Sequence, residues 1–195
     1  MILFSILSSL LFAQEYTPHN GDIIFQTSQS SQSLAIQVAT ESPYSHVGIV
    51  YIQNDKAFVF EAVNTVRLTP LDDWVDRGKK DQITVMRTKR ALSQKQLQAM
   101  LDIGKKYQGK HYDLAFQWSD DTIYCSELVW KVYQEGAHIT LSQPNQFGDY
   151  NFTHPDVYPL VQQRWGTDVD LTETVVAPSD IRHSKKLKMI YSDFE

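Results

Sequence analysis

One cysteine and six histidines make up the thiol and imidazole inventory of this 195-residue chain. In residues 124–133, YCSELVWKVY, Cys125 shares a helical face with Leu128, Val129 and Val132. That pattern has two readings. A free cysteine on an apolar face packs as a small hydrophobe. A cysteine in the first turn of a helix instead feels unpaired N–H groups and the positive dipole end, which favour thiolate over thiol. Asp120 and Asp121, just upstream, work against such activation, so a cation is needed, and a protonated histidine would supply it. His19, His111, His138, His154 and His183 fall in loops or at element ends, whereas His46 opens a strand between Ser45 and Val47.

That strand belongs to a hairpin. Residues 44–52, YSHVGIVYI, and 57–63, AFVFEAV, flank the polar turn Gln53-Asn54-Asp55-Lys56. A turn centred on Asn54-Asp55 pairs residues whose numbers sum to about 109, which sets His46 opposite Val63 and makes Glu61 its diagonal neighbour on the same face. A slip of one residue would turn Glu61 to the other face. A carboxylate among Phe58, Phe60, Ala62 and Val63 is costly to bury without a partner, and the imidazole offers one. Cys125 as nucleophile, His46 as base and Glu61 as the group that orients it are what acyl transfer through a thiolate requires. The backbone N–H of Cys125 would meet the oxyanion; the Tyr124 hydroxyl is either a second donor or a pocket wall. Ser45, beside His46, is grouped with the substrate-binding residues.

Other chemistries find little support. No His-x-x-x-His or Glu-x-x-His spacing sits on a predicted helix, and a lone cysteine cannot build a structural zinc site. Asp120-Asp121 and Asp72-Asp73 read as turn and cap residues. A Gly-rich phosphate loop and a Gly-x-Ser-x-Gly elbow are both missing. The net charge of −5 argues against nucleic acid as a partner, and the small basic clusters at 87–90 and 185–188 read as solvated surface. No cofactor is expected.

A hydrophobic fraction of 42% and 23 aromatic side chains (ten Tyr, nine Phe, four Trp) are enough for one substantial core, so residues 14–195 are expected to form a single domain. Predicted strands cover residues 21–26, the two hairpin arms, 65–69, 82–88 and 187–191. Short helices are predicted at 30–40 and after Pro70, and longer ones at 93–107, 124–134 and 155–165. Residues 145–154 read as loop. The first thirteen residues, MILFSILSSLLFA, are uncharged and mostly apolar and are followed at once by polar sequence; they predict a signal peptide cut near Ala13. The run is too short to span a bilayer, which takes roughly 20 residues. An exported, periplasmic protein with no stable membrane span after cleavage is the expectation, and a single cysteine rules out an intrachain disulfide.

Taken together, GDIIFQ, SSQSLAIQVAT, YSHVGIV, VFEAV, TPLDDW, GKHYD, WSDDTIYCSELVWKVY and ETVVAPSDI resemble the YiiX/YebB-like permuted papain-fold (NlpC-related) cysteine hydrolases of bacterial envelopes. The resemblance implies an α+β, circularly permuted papain-like fold whose antiparallel sheet packs against the nucleophile-bearing helix, with the histidine strands preceding the cysteine helix. It also implies Cys125 as nucleophile, His46 as base and Glu61 as third polar member. Tyr112, Asp113 and Tyr124 are expected to line the pocket because they lie near the active segments. Amidases or peptidases acting on peptidoglycan peptides or on N-acyl and lipid amides are the implied enzymes. A non-catalytic envelope binding module and a thiol acyltransferase acting on lipids are the alternatives.

Overall fold

The structure, a computed structural model, describes residues 16–166 and 169–194. The expected signal peptide, residues 1–13, lies outside the described residues. In chain order the elements are β1 (Ile23–Gln26), α1 (Ser33–Ala39), β2 (His46–Gln53), β3 (Lys56–Ala62), β4 (Val66–Pro70), α2 (Leu71–Asp76), β5 (Thr84–Thr88), α3 (Gln94–Tyr107), α4 (Cys125–Lys131), β6 (Asn145–Gln146), α5 (Tyr158–Trp165), β7 (Thr174–Val175), α6 (Pro178–Arg182) and β8 (Leu187–Ser192). Six strands form one antiparallel sheet in the order β4-β3-β2-β1-β5-β8.

The β2–β3 hairpin turns on Asn54 and Asp55, both with positive φ (51° and 60°). These are residue types that tolerate the left-handed region, and a turn of that hand matches the twist of the strands. The observed pairs Ile49↔Phe60, Val50↔Val59 and Tyr51↔Phe58 carry the sum of 109 expected from the turn. In that register Gly48 stands across from Glu61. A Cβ at Gly48 would lie 2.4 Å from Val59 Cγ1, so only glycine lets the two strands close over the carboxylate.

Strand alternation divides the apolar residues between the sheet's two faces. Ile23, Phe25, Val47, Ile49, Phe60 and Met86 point into the main core beneath α3 and α4. Ile24, Val50, Val59 and Val85 point the other way, against Trp74 of α2. A smaller cluster joins α1 to α5 through Ala35, Ala39, Val157 and Val161.

Three local readings differ from expectation. The helix predicted over 124–134 is α4 followed by one π-helical turn, Val132–Ala137, which ends on left-handed His138 (φ 56°). Close approach explains the glycine there, since a Cβ at Gly136 would lie 2.6 Å from the Met100 Cα of α3. The segment read as loop holds β6, paired with β7, and a 3-10 turn at Phe147–Asp149. The helix expected from residue 155 begins at Tyr158, after a turn in which the Val157 N–H bonds the His154 carbonyl.

Candidate active site

Glu61 is fully buried and is held by four side chains. The His46 Nε2 lies 2.6 Å from its Oε2, the Thr69 hydroxyl donates to Oε1 at 2.6 Å, and the Trp74 indole N–H donates to Oε2 at 2.9 Å. Arg77 Nη2 bridges both oxygens at 2.7 and 2.5 Å. Burial alone would raise the Glu61 pKa, but His46, Arg77 and Thr69 together hold it down at about 2. The Trp74 ring also stacks on the imidazole, centroids 5.8 Å apart and planes 26° from parallel. His46 therefore has little rotational freedom. Thr69, Trp74 and Arg77 were not among the sequence candidates. Thr69 had a readable signal, because β4 pairs Arg67 with Glu61 and so leaves Thr69 as a diagonal neighbour.

Cys125 is the first residue of α4 and is 2% exposed. It packs in the main core on one face of the sheet, while His46, by alternation, shares the opposite face with Glu61 and Trp74. The two meet at the start of β2, where the thiol hydrogen-bonds the His46 ring, the Val47 backbone N–H and the Tyr112 hydroxyl. With Nε2 committed to Glu61, Nδ1 is the nitrogen left for the sulfur. Burial pushes the thiol pKa up, but these three partners bring it below the ordinary cysteine value. Burial pushes the imidazole down, and the sulfur and Glu61 together raise it above the ordinary histidine range. Opposite shifts of this kind favour a thiolate–imidazolium pair near neutral pH.

Asp120, the first of the acidic pair upstream, does not oppose this arrangement as the sequence implied. Lys131 Nζ lies 2.8 Å from Asp120 Oδ1 and 2.8 Å from Glu127 Oε1, and its charge answers both carboxylates. The same ammonium sits over the Trp118 ring, 5.2 Å from its centroid.

Two cavities flank the Cys125–His46 pair. A narrow apolar cleft runs from Cys125 and Tyr124 between α1 and α5, walled by Ala35, Ala39, Phe147, Phe152, Val157 and Val161. A more polar cavity of about 560 Å³ opens at His46, where Ser28–Gln32, Asn64, Arg77, His111 and Tyr112 are joined by Ala62, Val63 and Leu114. Ser45 borders both cavities.

The remaining candidates divide by what their polar atoms touch. Tyr112 points its hydroxyl at the sulfur and receives a hydrogen bond from Gln32 Nε2 at 3.0 Å. The buried Tyr124 hydroxyl instead accepts the Val176 backbone N–H at 3.2 Å, while its ring walls the apolar cleft. Ser45 Oγ lies 2.7 Å from Ser33 Oγ and accepts the Ser28 N–H at 2.8 Å, pinning the 28–33 loop beside the thiol. Asp113 lines neither cavity. Its carboxylate accepts the Ala115 and Gln117 backbone N–H groups at 2.8 and 2.7 Å and so shapes its own turn.

Residues 17–191 match the family described as permuted papain-like amidase enzyme, YaeF/YiiX, C92 family. The chain belongs to the YaeF/YiiX permuted papain-like amidases. It is 41% identical to "Uncharacterized protein YiiX" of Escherichia coli (strain K12), over all of this chain and 95% of that one. The crystal structure of yiiX from Escherichia coli O157:H7 superposes with a TM-score of 0.89 at 41% identity, covering 92% of this chain and all of that one. Membership of this amidase family supports a cysteine hydrolase. The E. coli protein is described as a metalloprotein. Here Glu61 is drawn to the far side of the imidazole, and no group of three or more His, Cys, Asp or Glu side chains among the described residues is placed to hold a metal ion.

Proposed function

We propose that this YaeF/YiiX-type amidase cleaves an N-acyl amide through Cys125, with the acyl group in the apolar cleft and the leaving amine in the polar cavity. The observation that carries the reading is the position of His46: the ring that would hand a proton to the leaving amine borders the polar cavity, whereas the sulfur borders the apolar cleft. The Cys125 thiolate attacks the amide carbonyl. Negative charge gathers on the carbonyl oxygen and is met by the Cys125 N–H, which the helix start leaves without an intrahelical acceptor, and by the Tyr112 hydroxyl. The C–N bond breaks as His46 protonates the departing amine, leaving an acyl-thioester and neutral imidazole. Water then loses a proton to His46 and attacks the thioester; the free acid departs and the ion pair is restored. Glu61 keeps the imidazole oriented throughout. The apolar walls favour an N-acyl or lipid amide over a peptidoglycan peptide as substrate.

The rate of iodoacetamide labelling against pH tests the ion pair without knowledge of the substrate. A thiolate already formed labels at a nearly constant rate between pH 6 and 8, whereas an ordinary thiol of pKa about 8.5 gains roughly tenfold per pH unit. The flat profile is expected for the wild type and the steep one for His46→Ala. A steep wild-type profile would leave Cys125 a packing residue in a binding module.

Function in the envelope rests on the N-terminal apolar segment. Mass spectrometry of the protein recovered from the periplasm is expected to show a chain beginning near Gln14; a retained Met1 would refute cleavage.

A further inference from the structure

The polar cavity has basic side chains and no acid on its lining; the carboxylate that answers Arg77 and His46, Glu61, is buried behind them. The cavity's charged or titratable lining residues are His46, Arg77 and His111, and no Asp or Glu lines it among the described residues, although the chain as a whole carries −5. Arg77 spends Nη2 on Glu61 and presents the rest of a guanidinium that is about one-third exposed. Its Nε and Nη1 have no hydrogen-bond partner among the described residues. His111 is exposed and lines the same cavity. The neutral lining, Ser28, Ser30 and Asn64, offers further donors.

We propose that Arg77 and His111 form a carboxylate subsite on the leaving-group side, so that the amine released carries a carboxylate and the substrate is an N-acyl amino acid. A planar guanidinium fork matches a carboxylate's two oxygens, and no acid on the lining competes for the open side of Arg77. Arg77 joins the reacting centre through Glu61 and His46, which puts the subsite on the amine side of the scissile bond. The inference rests on the proposed orientation, in which the amine occupies the polar cavity.

Calorimetric titration of the full-length Cys125→Ala variant tests it with two ligands that differ in one group, N-lauroylglycine and N-lauroylglycinamide. The acid is expected to bind at least tenfold more tightly than the amide. Arg77→Met and, separately, His111→Gln in the same background are expected to shrink that ratio. The His111 change leaves the grip on Glu61 intact and so guards against a folding defect in the Arg77 variant. Equal affinity for acid and amide, or no binding of either, overturns the subsite. Turnover of both ligands by the unmodified chain is read alongside: tight binding of the acid without hydrolysis would sink the amidase reading and leave the subsite standing, whereas hydrolysis with equal affinities would do the reverse.

Discussion

Cys125→Ala is expected to reduce hydrolysis of an N-acyl amide to the uncatalysed background, a loss of at least ~10⁴-fold, because nucleophile and base act as one unit and removing either forfeits the covalent route. The chain should stay folded. Only sulfur is lost from a residue whose neighbours Leu128 and Val129 carry the packing of α4, and the cost is on the order of 1 kcal/mol. Thermal unfolding beside a progress curve for acid release would check both halves. Substantial hydrolysis by the alanine variant would place the reaction elsewhere in the molecule.

Glu61→Gln is expected to have the largest combined effect on activity and stability. The amide keeps the shape but presents one acceptor oxygen where the carboxylate satisfies His46, Thr69, Trp74 and Arg77 at once. Turnover should fall about 10²–10⁴-fold as the imidazolium loses its support. The pH dependence of stability follows from the carboxylate's shift. Its folded pKa, about 2, lies below the reference value of 4.5, so its stabilisation is fully present above pH 4.5 and is lost as pH falls toward 2. A shift of that size corresponds to roughly 3 kcal/mol. The glutamine variant should therefore unfold more readily at neutral pH, and its stability should fall less steeply than the wild type's between pH 4.5 and 2. Urea titrations at several pH values would show this, and parallel curves for the two proteins would refute it.

The meeting of His46 and Glu61 was legible because a two-residue turn leaves little choice of register. Once Asn54 and Asp55 are read as the turn, the diagonal pair follows from counting. Cys125 at a helix start was legible from periodicity. What surrounds Glu61 was not, since Trp74 arrives from α2 and Arg77 from the residue just past its end, and no local pattern announces how α2 packs against the sheet. TPLDDW read as a helix start, and its tryptophan is also what presses on the imidazole. The two tyrosines show a second limit. Tyr124 and Tyr112 were both placed near the thiol from sequence, but which hydroxyl meets the sulfur depends on how the 112 segment crosses to Gln32, a long-range contact. Asp120 misled because its neutralising partner, Lys131, sits about one and two-thirds helical turns past Cys125.

The hairpin also has a kinetic consequence. The contacts that grip Glu61 span 8 to 16 residues in sequence, whereas the thiol reaches the imidazole only by bringing residue 125 back to residue 46. Short-range contacts cost little loop entropy and form early, and distant ones are late to form. The grip on Glu61 is therefore expected to form ahead of the thiol–imidazole contact, which waits for α4 to cover the hairpin's core face.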